Sequence, residues 1–345
     1  MNFNRAKQFR FMVLTVLVAV LVFTLGISTM SMAQGAKPQV INVQTFGDPT
    51  TIKIGWAQGW FDEATGVQNK WVSFDTGADV IMAMTAGSLD ISSLGSTPTT
   101  VALARQAPIS IIAVEMDIAD NEALIVRAGI NVVQDLIGKK IATPFSSTSH
   151  YALMRLLKIY NIKPSQLQII DMGSMESASA FQTGSIDGAW VWDPAYTAMI
   201  KAGGHILMAS GAVGKMGYPT WNNIVVRNEF AKKYPDVTVN WLRAFLRTVD
   251  YYYKNPEDSA KIVGKRLGAE SEPTLKMMKG FGFPTGEEQI SPQWLGTPGK
   301  PGLVAKGTKD TSEFLVDQKA VPKPLEMNQC IEATNPSYLI KAMKK

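Results

Sequence analysis

Short apolar runs alternate with stretches of helical periodicity along most of the chain. Val40, Ile41 and Val43 alternate with polar neighbours over 39–46 and predict a strand. Gly47-Asp48-Pro49-Thr50 then offers Asp48 as an N-cap and Pro49 as the first helical residue, opening a helix to about Trp60. The pattern continues with a strand at 71–74, a helix at 78–85 stopped by Gly87, and a strand at 89–94. Ser96-Thr97-Pro98 opens the next helix, and a strand follows at 109–114. A second segment repeats the theme, with strands at 123–126, 140–142, 167–170 and 186–191. Its helices fall at 133–137, after Ser146–Ser149, at 174–183 and after Asp193-Pro194. Such alternation predicts an α/β protein built on mixed, mostly parallel sheets flanked by helices. From 221 onward a strand at 224–226 leads into helices at 227–234, 237–253, 256–268 and 272–280. The Gly-, Pro- and Lys-rich stretch 291–309 reads as a surface loop, before a last amphipathic helix at 311–318.

One internal echo points to two similar halves. Ala86-Gly-Ser-Leu-Asp-Ile91 matches Thr183-Gly-Ser-Ile-Asp-Gly188, and a proline-opened helix follows each copy. Gly87 and Gly184 lie 97 residues apart, too far for a solenoid repeat. The length of 345 residues accommodates two lobes, each with its own core.

Composition narrows the class. At 46% hydrophobic and 18% charged, the chain is globular. Its formal charge of +5 falls to +2 once Arg5, Lys7 and Arg10 are set aside, which leaves no footprint for nucleic acid. Those three cations precede the apolar run Phe11–Ile27, and Ser31-Met32-Ala33 follows with small residues at a peptidase site. Residues 1–33 therefore read as a secretory signal cleaved near Ala33, with an uncleaved anchor as the alternative. Cys330 is the sole cysteine, so an exported chain has no internal disulfide, and the thiol reads as a small buried residue. No metal-ligand cluster, phosphate-binding glycine loop or nucleophile elbow occurs, so no cofactor, metal or catalytic residue is assigned.

Candidate chemistry lies at four helix starts: Asp48-Pro49-Thr50, Ser96-Thr97-Pro98, Ser146 to Ser149, and Trp192-Asp193-Pro194. Each follows a strand, and ligands of open α/β sheets bind beyond the carboxyl ends of strands. A helix start carries unpaired N–H groups and the positive end of the dipole, so it suits an anion; an ordinary capped helix is the alternative. No lysine or arginine sits in these stretches. Neutral donors favour a weakly basic anion such as a sulfonate or sulfate over a doubly charged phosphate. Of Trp190 and Trp192, which share a strand face, one lines a cleft or both pack in the core. Glu122 lies between the two α/β segments and either receives a cation in the cleft or is a solvated turn acid. His150, in a first turn, reads as a polar contact at the cleft or surface rather than a base.

A set of short motifs then carries a resemblance. Phe74-Asp-Thr-Gly-Ala78, Leu94-Gly-Ser-Thr-Pro98, Asn121-Glu-Ala-Leu124, Asp135-Leu-Ile-Gly-Lys139, Pro144 to Tyr151, Ile186-Asp-Gly-Ala189 and Val191-Trp-Asp-Pro194 occur in one order from about Val40 to Phe314. In this order they resemble periplasmic taurine-binding proteins of the nitrate/sulfonate/taurine group of ABC-transporter solute-binding components. The resemblance implies a type II two-lobe periplasmic binding protein. Lobe one would combine 38–118 with 225–345, lobe two would be 119–224, and two crossover strands would form the hinge. It implies a monomer that captures taurine or a related alkanesulfonate without catalysis and delivers it to a membrane permease and ATPase. Ser96, Thr97, Thr148 and Ser149 would hold the sulfonate, Trp192 would cover the ethyl chain, and Glu122 would lie near the amine. One segment departs from the family: Pro219-Thr-Trp-Asn-Asn-Ile224 has amides, Asn222 among them, where the taurine binders carry an acid. Asp193 stands where a small residue is usual and restores a charge. A nitrate, bicarbonate or amidine binder, or an enzyme on the same fold, remains the alternative.

Overall fold

The computed structural model describes residues 37–344, so the leader and its cleavage site near Ala33 lie outside the described residues. Ten main strands follow the apolar runs: β1 (Val40–Gln44), β2 (Gln68–Val72), β3 (Ile91–Gly95), β4 (Ile109–Asp117), β5 (Glu122–Val126), β6 (Lys140–Thr143), β7 (Gln168–Asp171), β8 (Gly188–Trp192), β9 (His205–Ala209) and β10 (Trp221–Arg227). They form two five-stranded sheets, ordered β2-β1-β3-β10-β4 and β7-β6-β8-β5-β9.

Both sheets are mixed in the same way. In the first, β1 runs parallel to β2 and β3, while β10 is antiparallel to β3 and β4. In the second, β6 runs parallel to β7 and β8, while β5 is antiparallel to β8 and β9. The strands β3, β5 and β10 are almost wholly buried, as strands covered by helices on both faces must be, even though β3 carries Ser92 and Ser93 and β10 carries Asn222 and Asn223. The echoed glycines end equivalent helices, Gly77–Thr85 and Ser174–Gln182, with Gly87 at φ +74° and Gly184 at φ +81°. That left-handed conformation costs an L side chain what it does not cost glycine.

The chain passes between the sheets twice, once from β4 to β5 and once before β10. The two passages touch, since Ile118 N donates to Thr220 O at 3.3 Å. The first is also pinned to 277–282: Asp117 N donates to Gly282 O at 2.7 Å, and the Asn121 side chain donates to Met277 O at 2.8 Å.

Several elements differ from the sequence expectation. Asp48 is not an N-cap: Thr50 N donates to Asp48 O at 2.9 Å, closing a turn, and the helix begins only at Ile52. It also stops short of Trp60. Gly59, at φ +71°, breaks it, and a second helix spans Trp60–Thr65. Asp193 does not open its helix either; Ala195–Lys201 follows Pro194, though Asp193 Oδ1 accepts from Thr197 N at 3.2 Å. The expected loop at 291–309 instead holds a short hairpin, Gly296–Thr297 with Lys300–Pro301, and the first turns of the helix Leu303–Asp317. Trp294, Leu295, Val304 and Ala305 are buried there, and their apolar side chains outweigh the glycines and prolines around them. β9 and the helices Ser210–Lys215, Met327–Ala333 and Ser337–Met343 are further elements that periodicity did not predict. Cys330 is buried beside Ala305 and Leu325, and burial pushes its thiol up to about 11. No helix among the described residues is long and apolar enough to cross a membrane.

Candidate functional site

The four helix starts singled out from sequence converge in pairs. Gly95, at the start of the helix Ser96–Ala104, faces Thr148, the first residue of the helix Thr148–Ile159. A methyl group on Gly95 would lie only 3.0 Å from Cγ2 of Thr148, so even the smallest side chain would be a tight fit. The other two starts also meet, since a methyl on Gly47 would lie 3.6 Å from Cδ of Pro194. One member of each pair follows a strand of the first sheet and the other a strand of the second.

Between them lies a cleft. Asp48, Glu122, Thr148, Trp192 and Asn222 line it, as does Ser147. Ser96 and Thr97 sit between two lining residues, Gly95 and Pro98. Ser149, His150 and Asp193 adjoin the cleft without lining it. Periodicity gave no hint of Phe46, Met116, Ile118, Asn121 or Phe281, which supply most of the remaining wall. Phe281 comes from the chain beyond the longest C-terminal helices. Only the fold brings it here, and no local signal marks it.

Each helix start has hydrogen-bonding capacity to spare. Ser147 caps its helix, accepting from His150 N at 3.1 Å, which leaves the N–H groups of Thr148 and Ser149 as unpaired first-turn donors. Thr97 Oγ1 and Ser149 Oγ are buried without a hydrogen-bond partner among the described residues. Eight buried hydroxyls lack a partner among the described residues, and one of them stands at each of the two facing starts.

The acids are arranged unequally. Glu122 has both oxygens occupied, accepting from Thr148 Oγ1 at 2.6 Å and from Ser210 Oγ at 2.7 Å. Ser210 in turn accepts from Trp190 Nε1 at 3.1 Å, so Trp190 belongs to the core and Trp192 to the cleft. Burial raises the Glu122 carboxyl above its ordinary range, opposed by the hydroxyls of Thr148 and Ser210 and by that of Ser149 close by, which meets no hydrogen-bond geometry. Among the described residues Asp48 accepts no side-chain or backbone hydrogen bond at its carboxylate, and burial pushes it up to about 7 against the pull of Lys53. Lys53 is itself fully buried, donating to Phe46 O at 2.7 Å and to Thr45 Oγ1 at 3.2 Å. Asp193 is raised, again by burial, and its donor from Thr197 opposes the shift.

His150 does not line the cleft. Its ring stacks on Phe145 with centroids 4.6 Å apart, and Nδ1 accepts from Ser146 N at 3.3 Å. Burial holds its pKa down to about 4, so the ring is neutral at pH 7. Asn222 donates through Nδ2 to Ser93 Oγ at 3.3 Å, and Ser93 donates to Glu115, which fixes the amide and leaves Oδ1 as an acceptor. Among the described residues no group of three or more His, Cys, Asp or Glu side chains is placed to hold a metal ion.

The family model described as NMT1/THI5 like matches residues 48–259, a span containing most of the cleft. The chain belongs to the NMT1/THI5 like family. Within reach of that assignment is the taurine-binding periplasmic protein of Escherichia coli strain K12, 36% identical over 82% of this chain and 89% of the relative. Among solved structures, the alkanesulfonate-binding protein SsuA from Xanthomonas axonopodis pv. citri, bound to MOPS, superposes with a TM-score of 0.73 at 18% identity, covering 86% of this chain and 99% of that one. The desulfurization enzyme DSZB superposes with a TM-score of 0.62 at 12% identity, covering 89% and 99%. At such identities the two structures speak for the fold alone. The NMT1/THI5 like chain thus has the two-sheet architecture of periplasmic binding proteins, flanked by helices as expected from its sequence.

Proposed function

We propose that this chain is the solute-binding component of an ABC importer, capturing taurine or a related alkanesulfonate in the cleft between its two sheets. The observation that supports this reading is the meeting of two helix starts, Ser96-Thr97 and Thr148-Ser149, each with a buried hydroxyl that makes no geometric hydrogen bond among the described residues. Each helix end favours an anion by roughly 0.3–1 kcal/mol, up to about 2 when partly buried. Hydrogen bonds to a charged group add about 1.5–3 kcal/mol each. Two helix ends with two or three such bonds approach the roughly 8 kcal/mol of micromolar binding. Trp192, Phe46, Met116 and Phe281 give the carbon chain an apolar surround, which nitrate or bicarbonate would leave unused.

The first sheet with the C-terminal helices forms one lobe, the second sheet the other, and the two chain passages act as the hinge. The solute passes to a membrane permease driven by an ATPase, and the binding protein acts as a monomer. The leader 1–33 directs export to the periplasm and is removed near Ala33. Capture changes no bond in the solute: Cys330 lies buried away from the cleft, and the neutral His150 is occupied by Ser146 N.

A thermal-shift screen of taurine, ethanesulfonate, isethionate, sulfate and nitrate tests the function. The sulfonates raise the melting temperature and nitrate does not. Thr97→Ala or Ser149→Ala alone then weakens sulfonate binding about tenfold or more with the fold intact, the worth of one charge-assisted hydrogen bond. A melting temperature unmoved by every sulfonate would reject the reading.

A further inference from the structure

We infer that Asp48 makes this cleft select solutes carrying a cationic amine together with the sulfonate; the inference rests on the sulfonate reading above. The charged side chains lining the cleft are Asp48 and Glu122, and no lysine, arginine or histidine joins them. A purely anionic ligand would enter beside two carboxylates. The two acids are not equivalent. Glu122 is occupied at both oxygens by Thr148 and Ser210, so it ties the start of the helix Thr148–Ile159 to β5 and acts as a positioning residue. Asp48 is only 5% exposed, lines the cleft, and has no donor on its carboxylate among the described residues.

The neighbours of Asp48 leave it in want of a cation. The charged groups that act on it are Lys53, Asp193, Glu115 and Glu122, one cation against three acids. Lys53 spends its ammonium on Phe46 O and Thr45 Oγ1, and it makes no ion pair with Asp48. A buried carboxylate without a partner either takes a proton or takes a cation. The acid of Asp48, held near 7, agrees with a group poised between those two states. Asn222 presents a second acceptor in the same cleft, because its Nδ2 is committed to Ser93. A solute with its sulfonate at the facing helix starts and its chain against Trp192 therefore finds acceptors for an ammonium at Asp48 and Asn222. The resemblance drawn from sequence put the amine near Glu122, and the hydrogen bonds redirect it to Asp48.

Calorimetry with taurine and isethionate, which replaces the ammonium by a hydroxyl, tests this on the wild-type chain and on Asp48→Asn. In the variant taurine binds about 10- to 100-fold more weakly, the range of a lost charge-assisted hydrogen bond. Isethionate affinity holds or improves, so the preference for taurine collapses. On the wild-type chain at pH 6, repeating the titrations in buffers of different ionisation enthalpy shows proton release with taurine and none with isethionate. That readout needs no variant and survives a failure of Asp48→Asn to fold. Wild-type taurine affinity in Asp48→Asn, equal losses for both solutes, or no proton release on taurine binding overturns the assignment while leaving sulfonate capture standing. A wild-type chain that binds neither solute overturns both.

Discussion

His150 and Asp48 sit near one another in function yet pull the pH dependence of stability in opposite directions. His150 has a folded pKa of about 4 against an ordinary 6.5. The unfolded chain therefore holds more protons between those values, and stability rises with pH through that window. Its contribution is complete above about pH 6.5 and is lost as the pH falls to about 4. For Asp48 the folded value is raised from 3.8 to about 7, so the folded chain holds more protons and stability falls as pH rises through that window. Replacing His150 by Asn keeps an acceptor for Ser146 N and removes the titrating ring. The expected outcome is a loss of about 2–4 kcal/mol of the acid sensitivity between pH 6.5 and 4, at 1.36 kcal/mol per unit, unmasking the opposite slope of Asp48. Urea melts at pH 7, 5.5 and 4 measure it, and identical pH slopes in the two chains would rule it out. None of this was legible in the sequence. His150 stood in a hydroxyl-rich first turn that suggested a cleft contact, and only its stacking on Phe145 and packing near Phe314 reveal a ring turned to the core. Lys53 was equally hidden, because a lone lysine in an apolar helix gives no sign that its ammonium will be capped by Phe46 O.

Two strand-to-helix junctions define the site, and one of them is a test of the whole arrangement. Gly95 has φ −55°, which any residue adopts, so alanine there meets no backbone strain. Its methyl would instead meet Thr148 Cγ2 at 3.0 Å and Pro98 Cγ and Cδ at 3.3 Å. The obstruction falls on the approach of the two sheets rather than on either core. Gly95→Ala should therefore weaken taurine binding about tenfold while changing unfolding free energy by less than about 1 kcal/mol. Paired calorimetry and urea melts check it; unchanged affinity would mean that the two starts do not need to close on the solute. These junctions were legible because hydroxyl and proline signals mark a helix start in a few residues of local sequence. Most strands were legible because their aliphatic runs are short and bounded. What escaped notice had weak local signals. β9 is an edge strand of half-buried positions, and Met327–Ala333 buries only Cys330. The stretch 291–309 concealed Trp294 and Val304 among glycines and prolines that are tolerated because the hairpin and the helix Leu303–Asp317 bury the apolar residues between them. The far wall of the cleft was illegible for another reason: Phe46, Met116 and Phe281 meet only through the order of the strands and the pinning of 277–282 against the first passage.

If the halves close on a solute as proposed, contacts between them stabilise the closed arrangement, and one candidate contact lies away from the cleft. Arg155, on the helix Thr148–Ile159, holds its guanidinium 4.8 Å from the ring of Tyr151, 5.0 Å from Tyr218 and 4.9 Å from Phe314. Tyr151 is on the same helix, Tyr218 on the second passage between sheets, and Phe314 on the helix Leu303–Asp317, which packs on Ser96–Ala104 of the other half. Tyr151 also meets Phe314 edge to face at 5.0 Å, and Val101, Leu315 and Val321 complete this buried cluster. A cation over an aromatic ring is worth about 0.5–1 kcal/mol when exposed and about 2 or more when desolvated. Arg155 Nε has no hydrogen-bond partner among the described residues, so the three rings are a main part of what surrounds the guanidinium. If the cage stabilises the closed arrangement, removing the cation lowers the closed population, and the measured affinity falls by the same factor although Arg155 lines no part of the cleft. Arg155→Ala should weaken taurine binding by about 5- to 30-fold, mainly through faster dissociation. Phe314→Ala should do likewise, and the double variant should lose less than the two losses combined, because both remove one contact. Small-angle scattering without solute should report a larger radius of gyration for either variant. Unchanged affinity in Arg155→Ala, or full additivity with Phe314→Ala, would show that the cage serves only to pack a surface and that closure is governed at the cleft itself.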